Sequence, residues 1–386
     1  MRIAIPREVV AGETRVAIIP QMIPTLTRDK HEVFVETGAG LGASFSDEEY
    51  REAGATIISH PQALYEGAQV ILKVQPPASM HPSANCPEAD LFPLGASYVG
   101  FLAPLDRPDV IRAFLARKIS GFSVEYIPRI TRAQSMDVLS SMSTVTGYKA
   151  VLLAADHMRK MIPLLMTAAG TVPPATVLIL GAGVAGLQAI ATAKRLGAKV
   201  EAFDPRPAVK EQVKSLGASF VEMEVPDDVE TAGGYAKEQS EEFLKKEREA
   251  IEGRLPKVDA VISTAQIFGK RAPVLITDAM VRRMRPGSVI VDLAAEQGGN
   301  CELTKAGETV ERHGVFIIGP VNLAASLPVD ASRMYSKNIT TLFRLLFPKV
   351  DSSPDFTDEV IAKSCITHGG DIVNDHIKSV LSKEQP

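Results

Sequence analysis

The sequence is poor in the features that mark secreted, metal-binding or nucleic-acid-binding proteins. Tryptophan is absent, which alone decides nothing, and the 386 residues include only three cysteines, none in a C-x-x-C pair. This argues against a disulfide framework or a zinc knuckle and suits a reducing compartment. The net charge of −4 gives no basic excess to favour nucleic acid or anionic lipid as a partner. None of the seven histidines lies in a pattern such as H-E-x-x-H, so we expect no metal.

Signals for secretion and for membrane insertion are weak as well. The stretch MRIAIPREVVAGETR meets charge and proline too early for a signal peptide. Residues 161–193 carry no charge and are long enough to span a bilayer, but Pro163, Pro173, Pro174 and several glycines interrupt them. We predict a helix end, a loop, a buried strand, a turn and a helix in this stretch, and no transmembrane segment in this chain.

What the sequence does contain is an alternation of short apolar runs with polar helical segments. Residues 1–128 alternate in this way, and a second run of about six strands, of the Rossmann type, begins near Val172. The predicted fold class is α/β, with two Rossmann-like domains, largely parallel sheets and a nucleotide cleft between them. The predicted domains are a composite of residues 1–140 and 325–386, and a nucleotide-binding domain at 141–324.

A polar insertion interrupts the second run of strands between Val225 and Lys257. Its second half is rich in charge and predicts a helix. Its first half, with Gly233, Gly234 and Tyr235, predicts a mobile loop, although a merely solvated surface excursion fits the same pattern.

A glycine-rich turn, Gly181-Ala-Gly-Val-Ala-Gly186, follows an apolar strand and opens a helix. The first glycine permits the tight turn, Gly183 lets the backbone approach a pyrophosphate, and Gly186 allows the helix to pack closely on the strand. The helix N-terminus offers N–H groups and a positive dipole end to the phosphates. In this context the motif predicts a dinucleotide site.

The residue at the end of the next strand bears on the choice of dinucleotide. Asp204 lies a little over twenty residues after the first glycine, where a carboxylate accepts hydrogen bonds from both ribose hydroxyls and repels a 2′-phosphate. This favours NAD(H) over NADP(H). Arg206 argues the other way, but Asp204 holds the strand-end position.

Several stretches together resemble one family. They are RITRAQSMDVLSS, TAAGTVPPA, GAGVAGLQAIATAKRLGA, KEQVKSLGA, TAGGYAKE and SVIVDLAAEQGGNCE. Over essentially its whole length the chain resembles the NAD(H)-binding component of proton-translocating nicotinamide nucleotide transhydrogenases. Alanine dehydrogenases are wider relatives that share the fold and the pattern IPRE…RVAIIP.

This resemblance implies roles for a polar segment that precedes a long apolar helix. By resemblance, RITRAQSMDVLSS forms a loop in the cleft, where Arg129, Asp137 and Ser140 hold the nicotinamide carboxamide. Gln134 then reaches toward NADP(H) on a partner. A carboxamide offers one acceptor and two donors, so such a mixed set suits it. A plain helix cap by Ser135 or Asp137 remains an alternative for some of the segment.

The resemblance also implies a division of labour between polypeptides. Direct hydride transfer between two nicotinamides needs ring positioning and exclusion of water rather than a general acid. The implied partners are a membrane-spanning subunit and an NADP(H)-binding component, and the implied oligomer is a homodimer. The chain is then peripheral, on the cytoplasmic side of the inner or plasma membrane. The predicted cofactor-binding residues are Gly181, Gly183, Val184, Ala185, Gly186, Asp204, Arg206, Tyr235, Thr264, Ala265 and Glu296.

An amino-acid dehydrogenase is the main alternative. Arg15 and Lys73 match the pair that binds the substrate carboxylate in alanine dehydrogenases, and both can equally be structural or surface ion pairs. Phe101 stands where the acid/base histidine is expected, and Glu296 where the aspartate is expected. Because phenylalanine cannot move a proton, oxidative deamination should be crippled. A non-catalytic NAD(H) sensor is a third interpretation, which no sequence feature favours.

Overall fold

The computed structural model describes residues 1–223, 240–267, 269–350 and 352–381. The chain forms two compact units. Unit 1 comprises Met1–Met142 with Ala324–Pro386, and unit 2 comprises Ser143–Leu323. Each unit is built around a large, mostly parallel sheet, which confirms the predicted α/β fold class.

Strands and helices alternate along most of the described chain. The strands are Arg2–Ile5 (β1), Glu32–Glu36 (β2), Thr56–Ile58 (β3), Val70–Leu72 (β4), Ser97–Gly100 (β5), Ser120–Ser123 (β6), Leu165–Thr167 (β7), Gly170–Val172 (β8), Thr176–Leu180 (β9), Lys199–Phe203 (β10), Ser219–Phe220 (β11), Ala260–Ser263 (β12), Val289–Asp292 (β13), Thr309–Arg312 (β14), Val315–Ile318 (β15), Cys365–His368 (β16) and Asp371–Ile372 (β17). The α-helices are Ile23–Arg28 (α1), Asp47–Glu52 (α2), Pro61–Tyr65 (α3), Pro108–Ala116 (α4), Val138–His157 (α5), Val184–Arg195 (α6), Lys210–Ser215 (α7), Glu241–Glu252 (α8), Asp278–Val281 (α9), Pro328–Leu346 (α10), Glu359–Ser364 (α11) and Asp375–Leu381 (α12).

The sheet of unit 1 has the order β17-β16-β6-β5-β4-β1-β2-β3. Strands β1 to β6 are parallel, in the doubly wound order 3-2-1-4-5-6. Strands such as β4 are buried along their whole length, as expected when both faces of a parallel sheet are covered. From the far end of the sequence, β16 joins antiparallel to β6.

The sheet of unit 2 has the order β11-β10-β9-β12-β13-β15-β14. All neighbours in it are parallel except β14, which forms an antiparallel edge on β15. Leu178 and Ile179 in β9 are fully buried and supply the two apolar layers that lie on opposite faces of the sheet. The predicted strand SFVEMEV is wrong in length, since β11 keeps only Ser219–Phe220.

Helix α5 contributes residues to both units, because their boundary falls after Met142. Among the described helices it alone is long and apolar enough to cross a membrane, a test that core helices of soluble proteins also pass. Its buried residues Val151 and Ala154 belong to the apolar core of unit 2. The uncharged stretch 161–193 contains the hairpin β7–β8, strand β9 and the start of α6. The loop predicted there is thus partly an antiparallel hairpin.

The insertion predicted between the strands of unit 2 is described only in its second half. There the predicted charged helix is confirmed as α8, capped by the Ser240 hydroxyl, which accepts from the N–H of Phe243. The predicted mobile loop with Tyr235 lies outside the described residues.

Candidate functional site

The turn between β9 and α6 is shaped by its glycines. Gly181 has φ +90°, and a Cβ there would lie 2.6 Å from Thr264 Oγ1. A Cβ on Gly186 would lie 1.9 Å from the carbonyl oxygen of Gly181. A Cβ on Gly183 would meet no heavy atom within 4 Å. Packing therefore requires two of the glycines, while Gly183 borders open space of the kind that a pyrophosphate needs close to the backbone.

The N-terminus of α6 faces this turn. The N–H of Leu187 donates to the carbonyl of Gly183 at 2.8 Å, which closes the first turn of the helix. The N–H groups of Val184, Ala185 and Gly186 precede it and have no partner within the helix. With the helix dipole they form an anion-binding group. The residues present thus fit the diphosphate of a dinucleotide.

Asp204 follows β10 and is only 4% exposed. Its carboxylate accepts from the N–H of Ala182 at 2.7 Å and from the N–H of Arg206 at 2.9 Å. The Arg206 guanidinium adds bonds of 2.9 Å from Nε and 2.8 Å from Nη2. These four donors match the roughly four lone-pair sites of a carboxylate. Arg206 thus pairs with the very acid predicted to bind the ribose.

A second acid lies near Asp204. Glu247 occupies the buried stripe of α8 between Phe243 and Ile251. Burial, followed by the charge of Asp204, raises the pKa of Glu247 to about 7. The ribose end of the predicted site is therefore acidic, and this opposes a 2′-phosphate.

The segment after β12 is tied to the glycine turn and to β13. The Thr264 hydroxyl donates to the Gly181 carbonyl at 3.1 Å. Ala265 accepts from and donates to the side-chain amide of Asn300, at 2.8 and 3.1 Å. Buried Asp292 in turn accepts from the N–H of Asn300 at 2.7 Å. Sequence reasoning missed Asp292 and Asn300, although an acid that ends a buried strand was a visible signal.

The polar segment RITRAQSMDVLSS forms a 3-10 helix, Thr131–Met136, that leads into α5. Asp137 accepts from the N–H of Ser140 at 2.9 Å and from its hydroxyl at 2.6 Å, so Asp137 caps α5. Arg129 and Gln134 are exposed. The carbonyl of Ser135 accepts from the Asn338 amide at 2.8 Å, which ties the segment to α10. Unit 1 thus presents the predicted loop residues on a well-anchored segment.

The carboxyl end of the unit 1 sheet is filled by ion pairs. Arg15, 4% exposed, forms two bonds to the Glu13 carboxylate, of 2.8 Å from Nε and 2.6 Å from Nη2. Lys73, fully buried, lies 2.9 Å from Glu88 and 3.2 Å from Glu8. The alternative of surface ion pairs is therefore wrong, because both cations are buried beside acids of their own chain.

These contacts set the charge states of the cluster. Burial alone would lower the pKa of Lys73, but Glu8 and Glu88 raise it above its ordinary value. Burial raises the pKa of Glu8, against the pull of Lys73. Burial would also raise the pKa of Glu13, yet its bonds to Arg15 and the charge of Arg15 lower it to about 2. Lys73 therefore stays charged, and Glu13 stays ionised at neutral pH.

Phe101 and Glu296 stand at the remaining positions of the dehydrogenase alternative. The Phe101 ring lies 6.0 Å from that of Tyr335, centroid to centroid, and offers no proton-transfer group. Glu296 is exposed, and its carboxylate accepts weakly from the N–H of Asn322 at 3.4 Å. Within the described ranges of the chain, no group of three or more His, Cys, Asp or Glu side chains is arranged to hold a metal.

Sequence comparison relates both halves of the chain to one family. The family profile "Alanine dehydrogenase/PNT, N-terminal domain" matches residues 4–146, and "Alanine dehydrogenase/PNT, C-terminal domain" matches 150–375. The chain is similar to the first of the polypeptides that form the NAD(P) transhydrogenase alpha subunit of Rhodospirillum rubrum, with 48% identity covering 97% of this chain and 98% of that one. It is 31% identical to an alanine dehydrogenase of Methanococcus maripaludis, covering 85% of this chain and 82% of that one.

Solved structures give the same two likenesses. A transhydrogenase from Sinorhizobium meliloti superposes with a TM-score of 0.85 and 41% identity, covering 97% of this chain and 100% of that one. An L-alanine dehydrogenase superposes with a TM-score of 0.83 and 26% identity, covering 99% of each chain.

Proposed function

The chain belongs to the alanine dehydrogenase/PNT family, and from this premise we propose that it is the NAD(H)-binding subunit of a proton-translocating nicotinamide nucleotide transhydrogenase. Its homologues include transhydrogenase alpha subunits, which supports an oxidoreductase role. In the proposed reaction the nicotinamide ring of NAD(H) supplies or takes up a hydride directly from NADP(H), which a partner polypeptide holds.

One observation carries this proposal over an amino-acid dehydrogenase. Arg15 and Lys73, the cations that would bind a substrate carboxylate, are engaged by Glu13, Glu8 and Glu88. An amino or keto acid would have to displace these buried acids. With Phe101 in place of an acid/base, the site has neither a prepared anion pocket nor a proton carrier.

The residues of unit 2 bind and orient the nucleotide in this proposal. The N–H groups of Val184, Ala185 and Gly186 hold the diphosphate, and Gly183 lets it come close. Asp204 accepts the ribose hydroxyls once the Arg206 guanidinium gives up its bonds. Thr264 and Ala265 border the nucleotide beyond the glycine turn, and Tyr235 closes over it.

The loop residues of unit 1 orient the nicotinamide. Arg129 donates to the carboxamide oxygen, while Asp137 and Ser140 offer oxygen acceptors to its N–H₂ group. The Asp137–Ser140 bond fixes both acceptors at the start of α5. Gln134, exposed on the 3-10 turn, contacts NADP(H) on the partner. None of these groups has to move a proton, because hydride transfer between two carbon centres depends on positioning.

The proposed assembly places the chain on a membrane complex without requiring it to cross the membrane. Its partners are a membrane-spanning subunit and an NADP(H)-binding component, on the cytoplasmic side. A homodimer fits the hairpin β7–β8, whose neighbourhood exposes 55% of Met161, 49% of Leu164 and 78% of Met166. Sedimentation at micromolar concentration tests the dimer.

The function is tested by reconstitution. The purified chain is mixed with the NADP(H)-binding component of a transhydrogenase, NADPH and an NAD analogue of distinct absorbance. Rapid reduction of the analogue, lost when either protein is omitted, supports the proposal. Intact NADH binding without transfer would instead favour an amino-acid dehydrogenase or a sensor, to be assayed with alanine and pyruvate.

Replacement of Gln134 tests its assignment to the second nucleotide. In Gln134→Asn the amide is withdrawn by one methylene, so we expect hydride transfer to slow by about tenfold, since small misplacements are costly in a positioned reaction. The Kd for NADH, measured by fluorescence, should stay within about twofold. Gln62→Asn, on the exposed face of α3, is the matched control. A large loss of NADH affinity in Gln134→Asn would contradict the assignment.

A further inference from the structure

A glycine in the middle of a long helix needs an explanation. Gly147 lies ten residues before the end of the 20-residue helix α5. Glycine costs about 1 kcal/mol relative to alanine in a helix interior. The residue is buried, so solvent exposure does not account for it.

The contacts of Gly147 supply the reason. A Cβ at this position would lie 2.1 Å from the carbonyl oxygen of Ala185, 2.9 Å from its carbonyl carbon and 3.0 Å from its Cα. All three atoms are backbone, so no side chain can turn aside to make room. Any residue larger than glycine therefore pushes α5 and the first turn of α6 apart.

That first turn is held from two sides. On one side Gly186 packs against the carbonyl of Gly181, where a Cβ would lie at 1.9 Å. On the other side Ala185 packs against Gly147. Farther along the same helix pair, Val151 of α5 shares a buried cluster with Ala189 and Ile190 of α6. The contact at Gly147 thus falls at the end of α6 whose N–H groups face the glycine turn.

We propose that Gly147 is a positioning residue for the diphosphate of NAD(H), a distant fourth member of the glycine motif that holds the N–H groups of the first turn of α6 in place. The inference rests on the proposed function, because it presupposes that the turn binds a dinucleotide. Gly147 touches the carbonyl of Ala185 and acts through it.

The test measures how much the diphosphate adds to affinity. Kd values for adenosine, ADP and NADH are determined calorimetrically for the wild-type protein and for Gly147→Ala. Adenosine uses the Asp204 end alone, so its Kd should change less than about twofold. The Kd values for ADP and NADH should rise at least about tenfold, the effect of weakening one hydrogen bond to a charged group.

Gly197→Ala is the matched control. Gly197 follows the other end of α6 with φ +89°, so alanine there strains the same helix away from the glycine turn. We expect it to lower the melting temperature without changing the ratio of the adenosine and ADP constants. If Gly147→Ala leaves that ratio unchanged as well, the inference falls while the proposed function stands. If the wild-type protein binds no NADH, the proposed function falls.

A wild-type measurement covers the case in which Gly147→Ala does not fold. Hydrogen exchange of residues 144–150 is compared with ADP bound and with adenosine bound at equal saturation. Greater protection with ADP supports the inference, because the diphosphate then steadies the first turn of α6 against α5. Equal protection by the two ligands overturns it.

Discussion

The two sheets share one strand order and one backbone contact, yet their carboxyl ends differ in chemistry. In unit 2 the N–H of Ala182, two residues after β9, donates to Asp204 at 2.7 Å. In unit 1 the N–H of Arg7, two residues after β1, donates to Glu36 at 2.8 Å. In both units the acid at the end of the second strand fixes the turn after the first strand.

The chain then diverges at these two turns. In unit 2 the glycines lead directly into α6 and leave space beside Gly183. In unit 1 an irregular segment carries Glu8, Glu13 and Arg15, and these fill the end of the sheet with ion pairs. The same topology thus gives a candidate ligand site in one unit and a closed polar core in the other. Function follows the residues of the turn rather than the fold.

The largest expected effect breaks the closed core of unit 1. Lys73→Met leaves the Glu8 and Glu88 carboxylates buried without their cation. We expect a loss of about 3–5 kcal/mol in the free energy of unfolding, as for other broken buried pairs. Denaturant unfolding measures it. Lys363→Met, which removes an exposed pair with Glu359, should cost less than about 1 kcal/mol. Equal costs would show that the buried cluster contributes no more than a surface pair.

The next effect concerns pH and the Glu13–Arg15 pair. The folded-state pKa of Glu13, about 2, lies below its ordinary value. The stabilisation is therefore complete above about pH 4.5 and is lost as pH falls toward the folded pKa, by roughly 3 kcal/mol in all. We expect the stability difference between the wild-type protein and Glu13→Gln to shrink between pH 5 and about pH 2.5. A difference independent of pH would contradict this.

The smallest effect sharpens the comparison from the side of unit 2. Asp204→Ala removes the acceptor proposed for the ribose hydroxyls, so the Kd for NADH should rise about tenfold to a hundredfold, as for hydrogen bonds to a charged group. Equilibrium titration measures it. Glu36→Ala, the topological counterpart in unit 1, should destabilise the protein but leave the NADH affinity of the folded protein unchanged. An unchanged affinity in Asp204→Ala would remove Asp204 from the site.

Local patterns were sufficient to predict much of unit 2. Apolar runs predicted strands such as β9 and β12, and charge predicted the helix α8. The strand context of the glycine motif predicted the turn at Gly181–Gly186. Each of these signals lies within a few residues of the feature that it predicts, which is why one sequence reveals it.

Long-range contacts account for what could not be predicted. Nothing near Arg206 shows that its guanidinium turns back onto Asp204. Nothing near Lys73 shows that Glu88, across a proline-rich loop, neutralises it. The hairpin β7–β8 was hidden by prolines and glycines that equally suit a loop. The roles of Arg129, Gln134, Asp137 and Ser140 toward a nucleotide stay predictions.

The pairing of β16 with β6 has a consequence for biosynthesis. Unit 2 is one unbroken segment of chain, whereas unit 1 needs residues from both sides of it. The Thr367 hydroxyl donates to the Ile119 carbonyl across 248 positions of sequence. During translation unit 2 can therefore complete its sheet while β6 still waits for its antiparallel neighbour. Such non-local pairing is slow, and an unpaired edge invites association. The nascent chain is most exposed to aggregation in that interval.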